Sequence, residues 1–597
     1  MESNQKSLPK NLSRWQAILP AVLPAVFVST LLMVWQRKVN SELPDPYLDE
    51  VFHVRQAQAY WAHRWRQWDP KITTPPGLYL CSYIIGTILF LIRLRPAHPS
   101  ASFYRYGNSI ALFNMLQQRL RQLMEFIWNR ELLSRPGKSP DSASGNGREM
   151  WEKNLTVLNI CLFPPLFFFS GLYYTDLAAL LMVLKVYYCD LSRDCERNAH
   201  LSRSDKAKSR NSKVTPLSWG DFSFLIFGLL ALLFRQTNIF WVAIFLGELR
   251  VVRTLHGRTA SCQSTGVLKI ARGSWELQQL YDPPVSEASS EDYLKTLVSL
   301  GISALAHLIP IIAALIPYLF FLGAFGLFVL WNGGVVLGHK EFHIAGLHLP
   351  QMLYIWPYFI FFSWPIFLIP FATAMFQRPT MKILPNIKTA AIFIPLMLLT
   401  VHLNTIVHPF TLADNRHYVF YVFRILLRHP LIKYLATPIY FACAWAVLTT
   451  LGVNSHLPSR NTTSMRSQHP PESSAKSYKS NVETEPNNFR QVRLSFVIIW
   501  LIATSLSLIT APLVEPRYFL IPWVIWRLHV LPSATITGKN PDRSSGNSES
   551  CDRFLKFLPL VLESTWYIVI NMVTGYMFLY RGFEWPQEPG LVQRFMW

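Results

Sequence analysis

Apolar residues recur along the chain in blocks of roughly 15 to 25, the length a helix needs to cross a hydrocarbon core of ~30 Å. The blocks lie at 15–35, 77–94, 103–118, 154–170, 175–189, 219–234, 237–250, 301–330, 351–371, 387–404, 419–451, 494–512, 516–530 and 555–580. The pattern predicts an all-α polytopic membrane protein with about 12–14 transmembrane helices. The segments 133–150, 454–492 and 534–552 are rich in Ser, Asn, Pro and charge. Stretches this polar bury no core and are expected to be disordered inserts.

Charge sets the orientation. Lys6, Lys10 and Arg14 precede the first block, which predicts a cytoplasmic N-terminus. Gln36, Arg37 and Lys38 follow that block in place of a small-residue cleavage site, so it is expected to stay as a signal anchor. Residues 36–76 are then lumenal. Residues 119–153 hold seven Arg or Lys, and they can be cytoplasmic only if one of the blocks 77–94 and 103–118 fails to span. The block 77–94, which follows Pro75 and Pro76, is expected to lie at or dip into the lumenal face. In this register the basic loops 190–218 and 251–300 and all three inserts are cytoplasmic.

Composition removes two alternatives. Of 597 residues only 15% are charged, against ~25% in ordinary soluble proteins. The net charge of +21 is compatible with nucleic acid, but Lys and Arg crowd into loops between apolar blocks with no aromatic-interleaved motif, as positive-inside topology requires and RNA binding does not. The seven cysteines, Cys81, Cys161, Cys189, Cys195, Cys262, Cys443 and Cys551, are scattered without a CxxC pair, which predicts neither a disulfide framework nor a zinc site.

Nearly all polar clusters at block ends fall on the lumenal side. The first lumenal loop carries Asp49 and Glu50, and then Asp69 between Trp68 and Pro70. Three carboxylates beside aromatics and prolines form a candidate acid/base centre. The alternative is that Asp49 and Glu50 cap, or sit in the first turn of, a surface helix through His53 and Gln56. Arg235, in a tight turn with Gln236, either contacts an anion or snorkels. Asp414, Asn415, Arg416 and His417 precede an apolar run and offer donors suited to a phosphate, or else a cap beside a snorkelling Arg. Glu515, Arg517 and Tyr518 hold either a second phosphate contact or a local ion pair. Asn332 opens a loop with His339, His343 and His348, but no metal-binding spacing accompanies them.

These blocks, in this order, resemble the dolichyl-phosphate-glucose-dependent α-1,2-glucosyltransferase family of the endoplasmic reticulum, a GT-C lineage. The resemblance is carried by Tyr47, Asp49, Glu50, Phe52 and His53; by Gln56, Trp68, Asp69, Pro70, Thr73, Thr74, Pro76, Gly77 and Tyr79; by Tyr173, Tyr174 and Thr175; by Arg235, Gln236, Thr237 and Asn238; by Asn332, Gly333 and Gly334; by Asp414, Asn415, Arg416, His417 and Tyr418; by Arg517, Tyr518 and Phe519; and by Gln593, Arg594, Phe595, Met596 and Trp597. It spans almost the whole chain, and the polar inserts are where the chain departs from it.

The resemblance implies a single multi-spanning transferase domain over 1–597, a catalytic loop at 36–76 and an active site facing the lumen. It implies transfer of glucose from dolichyl phosphate glucose to the diglucosylated lipid-linked oligosaccharide, by one inverting displacement and with no cofactor or metal. It assigns Asp69 as the base, with Glu50 and Asp49 in reserve. Arg416, His417, Arg517 and Arg235 would hold the phosphate, and His53, Gln236, Asn332, Asp414, Asn415, Glu515 and Tyr518 complete the substrate-binding set. Another polyprenyl-phosphate-sugar transferase is the neighbouring reading. A lipid transporter, the reading from a different class, should instead place charges at the bilayer midplane.

Overall fold

The computed structural model describes residues 10–92, 99–107, 109, 112–128, 147–206, 219–262, 266–338, 340, 346–376, 385–452, 492–511, 513–530 and 546–597. About three quarters of these are helical, with two small strand pairs: Ala260–Ser261 beside Gln279–Leu280, and the antiparallel hairpin of Phe583–Trp585 and Glu588–Gln593. His339, His343 and most of the three expected inserts lie outside the described residues. At the insert edges, 147–150 and 546–552 already belong to the helices Gly147–Leu162 and Gly546–Tyr580.

Among the described residues six helices are long and apolar enough to cross a membrane: Leu19–Glu42, Leu308–Asn332, Gln351–Leu368, Ile387–Asn404, Ile432–Thr450 and Phe557–Tyr580. A seventh candidate is broken, because Glu149–Leu162 and Pro164–Ser170 meet at 64°. Pro164 lacks the N–H a continuing helix needs and forces Phe163 to an extended ψ of 120°. Other blocks form shorter helices, including Gly77–Leu91, Trp219–Phe234 and Leu494–Leu508. The first of these has 15 residues. At ~1.5 Å per residue it is about as long as Trp219–Phe234 and Leu494–Leu508, and shorter than a hydrocarbon core of ~30 Å.

The block 103–118 departs most from expectation. Its described residues include the helices Ala101–Tyr106 and Leu112–Trp128, and the second helix carries Arg119 and Arg121 out of the loop where charge counting put them. Arg119 lies 4.3 Å from the centre of the Tyr188 ring, and Arg121 donates to the carbonyl of Ala21 at 3.0 Å. The supposed loop 251–300 likewise holds the helices Val267–Glu276 and Ser290–Ala306, the second closed at its start by a capping box between Ser289 and Asp292.

Aromatic packing holds the helices together. Trp500, Trp523 and Trp526 are fully buried, and Trp523 stacks on Phe163 with ring centres 3.7 Å apart. Each buried indole N–H finds an acceptor: Pro522 O, Ser363 Oγ and Val447 O respectively. Ile309, Leu327 and Leu330, on the Leu308–Asn332 helix, are exposed, as residues facing lipid should be.

Two glycines bring the connections at one end of the bundle into contact. A Cβ on Gly77 would stand 2.5 Å from the Leu233 carbonyl oxygen, and one on Gly338 would stand 2.1 Å from that of Pro70. Only glycine allows these approaches. They seat the 69–77 turn against the end of Trp219–Phe234 and against the loop that follows Leu308–Asn332.

Candidate active site

The first loop after Leu19–Glu42 turns through Leu48, whose φ of 53° is left-handed, and enters the helix Glu50–Trp61. Glu50 is fully buried against Arg105. Its Oε1 accepts from Arg105 Nε and the Tyr173 N–H, both at 2.8 Å, and its Oε2 from Arg105 Nη2 at 2.5 Å and the Tyr47 N–H at 3.2 Å. A carboxylate has about four acceptor positions, and all four are filled. Arg105 also donates to the carbonyls of Leu43 and Asp45, at 2.6 and 3.1 Å. The pair knits the loop together and leaves Glu50 no lone pair for a substrate.

Asp49 behaves differently. It stands at the N-cap position but makes no side-chain cap bond, so the helix-cap reading does not account for it. Its side chain is 50% exposed and faces Arg517, whose Nη1 and Nη2 both lie 3.4 Å from Oδ2.

Asp69 serves its own turn: Oδ1 accepts the Lys71 N–H at 3.0 Å, and its own N–H donates to Gln56 Oε1 at 2.9 Å. Such an i to i+2 bond is an Asx turn. The Thr73 carbonyl just beyond accepts from Gln236 Nε2 at 2.7 Å and from the Leu337 N–H at 3.2 Å. Gln236 therefore pins this turn, and Asn332, whose Nδ2 donates to the carbonyls of Gly334 and Val336 at 2.8 Å, closes its own loop.

The Pro516–Phe519 3₁₀ turn after Leu494–Leu508 presents Arg517 between two carboxylates. Nε donates to Glu515, the two Nη atoms face Asp49, and the Tyr174 ring lies 5.8 Å away. Burial alone would raise the Glu515 pKa, but the charge and hydrogen bond of Arg517, with His417 and Arg235 nearby, hold it below the ordinary value. Burial likewise opposes the charge on Arg517, yet Glu515 and Asp49 raise its pKa well above normal. Arg235 pairs with Asp176 at 2.5 Å and lies 5.5 Å from the Tyr518 ring. That pairing replaces the snorkelling alternative.

A second arm approaches from the segment before Tyr418–Leu426. Asp414 accepts from Arg416 Nε at 2.8 Å and Nη2 at 2.7 Å, with His417 Nε2 at 3.7 Å. Burial pushes the Asp414 carboxyl up, but the Arg416 hydrogen bonds outweigh it and leave the group below its usual range. Asn415 accepts the Trp585 indole N–H at 2.8 Å. His53 is buried with Nδ1 at 2.7 Å from the Tyr79 hydroxyl, and burial holds it below its ordinary pKa of 6.5 despite the pull of Asp49.

The structure thus gathers Asp49, Glu515, Arg517, Tyr518, Arg235 and His417 into one electrostatic neighbourhood, with Asp414, Asn415 and Arg416 beside it. It turns Glu50, Gln236 and Asn332 to holding the loops. Among the described residues no three His, Cys, Asp or Glu side chains gather as a metal site. Sequence reasoning missed Arg105, Asp176 and Trp585. Of these only Asp176, a lone acid directly after Tyr173, Tyr174 and Thr175 at a block edge, left a signal.

The apolar helices and the carboxylates and guanidinium groups collected where their loops converge are those of an all-α polytopic membrane protein, and the GT-C glycosyltransferase class fits the family it matches. The chain belongs to the DIE2/ALG10 family, whose model matches residues 43–528. It is 46% identical over 621 residues to an Emericella nidulans protein named Dol-P-Glc:Glc(2)Man(9)GlcNAc(2)-PP-Dol alpha-1,2-glucosyltransferase, covering 95% of this chain and 96% of that one. A protein of the same name from Aspergillus fumigatus is 45% identical, covering 96% of this chain and 97% of its own length. One from Mus musculus is 28% identical, covering 97% of this chain and 98% of its own. No solved structure matches the chain.

Proposed function

We propose that the chain transfers glucose from dolichyl phosphate glucose to the diglucosylated lipid-linked oligosaccharide, Glc2Man9GlcNAc2-PP-dolichol, in α-1,2 linkage at the lumenal face of the endoplasmic reticulum membrane. It would act as one transferase domain over 1–597, with 36–76 as the catalytic loop and 133–150, 454–492 and 534–552 as cytoplasmic inserts. Support comes from the reaction named for relatives aligned along nearly the whole chain. The observation that carries the reading is Asp49, half exposed and opposite Arg517.

The donor sugar is β-linked and the product α, so one displacement suffices. The acceptor 2-hydroxyl oxygen bonds to the anomeric carbon while the bond from that carbon to the phosphate oxygen breaks. Asp49 takes the hydroxyl proton, and Arg517, Arg235, Arg416 and His417 meet the charge on the departing dolichyl phosphate. Asp49 is favoured because it is half exposed beside Arg517 and makes no cap bond; Asp69, which gives one of about four acceptor positions to the Lys71 N–H of its own turn, is the second candidate. Glu50 has no free acceptor position, which makes it a positioning residue.

Protein purified into nanodiscs and given both lipid substrates should yield a triglucosylated product whose outermost glucose an α-1,2-specific glucosidase removes. Equal use of a monoglucosylated acceptor, or of dolichyl phosphate mannose, would overturn the specificity.

A further inference from the structure

We propose that residues 593–597 form a strap that positions the phosphate-binding edge of the site, and that Gln593 is a positioning residue acting through Arg416. The inference rests on the functional reading above and extends it to a part of the chain beyond 43–528, the stretch the family model matches.

After the Glu588–Gln593 strand the chain lies alongside 416–418. The Met596 N–H donates to the Arg416 carbonyl at 2.9 Å, and the Tyr418 N–H donates to the Met596 carbonyl at 3.2 Å. The strap is tied down at two further points. Arg594 Nη1 donates to the carbonyls of Phe578 and Leu579 at 2.9 and 2.5 Å, at the end of the Phe557–Tyr580 span. The Arg594 N–H donates to the Tyr47 hydroxyl at 2.7 Å, two residues before Asp49. One short segment therefore connects the loop of the proposed base to the arm that carries Arg416 and His417.

Gln593 is 3% exposed, and its amide orientation is dictated by its neighbours. Glu588 Oε2, 2.7 Å from Nε2, can only accept. The carbonyl Oε1 must then face Arg416, and it accepts from Nη1 at 3.0 Å. Asp414 already holds Nε and Nη2, and Trp585 lies 4.5 Å from the guanidinium. Three of the five N–H groups are thereby engaged, which leaves one on each Nη for an incoming anion. Without Gln593 the Nη1 side loses its fixed partner, and the fork must be ordered afresh each time a phosphate arrives.

The test uses the full-length chain in nanodiscs. Gln593→Leu should raise the KM for dolichyl phosphate glucose about tenfold, as loss of a hydrogen bond to a charged group does, while the acceptor KM and thermal midpoint stay at wild-type values. Combined with Arg416→Lys, it should add almost nothing to the donor defect of Arg416→Lys alone, because both act at one guanidinium. An unchanged donor KM, or defects that multiply in the double variant, would overturn the strap. Binding of dolichyl phosphate alone, followed by tryptophan fluorescence, separates this idea from the functional reading. It should weaken about tenfold in Gln593→Leu whatever sugar is transferred, and unchanged affinity would count against the strap even if wild-type turnover were normal.

Discussion

Glu50 and Arg105, 55 positions apart in sequence, close on each other as a fully buried pair at 2.5 Å, while Asp49, one residue earlier, is left half exposed. The left-handed Leu48 immediately before them is a conformation that costs a non-glycine residue on the order of 1 kcal/mol. Two adjacent carboxylates are thereby separated into a loop anchor and an open acid.

The anchor can be tested by stability. Glu50→Gln leaves Arg105 buried without its counter-charge, which typically costs about 3–5 kcal/mol. Its thermal midpoint should fall steeply, and Glu50→Gln with Arg105→Met should recover part of the loss. A Glu50→Gln protein as stable as wild type but inactive would instead make Glu50 a chemical participant.

The cationic arms should separate donor from acceptor. Arg517→Ala and Arg416→Ala should raise the donor KM, and Arg416→Lys should restore it only partly, because a point charge cannot copy a forked contact. Normal donor kinetics in both Ala variants would remove these residues from phosphate binding.

His53 predicts a pH dependence. Burial depresses its pKa from 6.5, so the unfolded chain takes up its proton first as pH falls. The stability this provides is complete above about 6.5 and declines as pH drops from there toward the folded-state value. The thermal midpoint should therefore fall between about pH 7 and pH 5.5, and His53→Asn should flatten that decline. Parallel pH curves for the two proteins would contradict it.

Sidedness is open to glycan mapping. A sequon engineered near Lys340 should be modified, whereas Asn461 should not. Asn154 should also stay bare: it is buried, and its Nδ2 donates to the Met150 carbonyl at 2.8 Å. Glycan on Asn461 would invert the register.

Hydrophobic spacing made much of the architecture legible. The blocks 219–234 and 387–404 coincide with the helices Trp219–Phe234 and Ile387–Asn404. It could not show where a block breaks, because Pro164 interrupts the helix without interrupting its apolarity. Charge counting put Arg119 and Arg121 in a loop, because a helix can lay long basic side chains over Tyr188 and the Ala21 carbonyl. In the site, local motifs exposed Asp414 with Arg416 and Glu515 with Arg517, whose partners lie two positions away. Arg105 and Asp176 were hidden because their partners are 55 and 59 positions distant. Asp69 stands out in the sequence between Trp68 and Pro70 and through the family resemblance, and its contact with the Lys71 N–H is local as well.

The base is therefore the point to measure. Single-turnover rates with both lipid substrates bound should be compared for Asp49→Asn and Asp69→Asn. Base catalysis contributes about 10²- to 10⁴-fold, so Asp49→Asn should fold, bind both lipids and transfer glucose at least about 100 times more slowly. Asp69→Asn, whose side-chain carbonyl can still accept the Lys71 N–H, should keep most of its rate. Near-normal transfer by Asp49→Asn beside an abolished Asp69→Asn would contradict the account and return the base to Asp69.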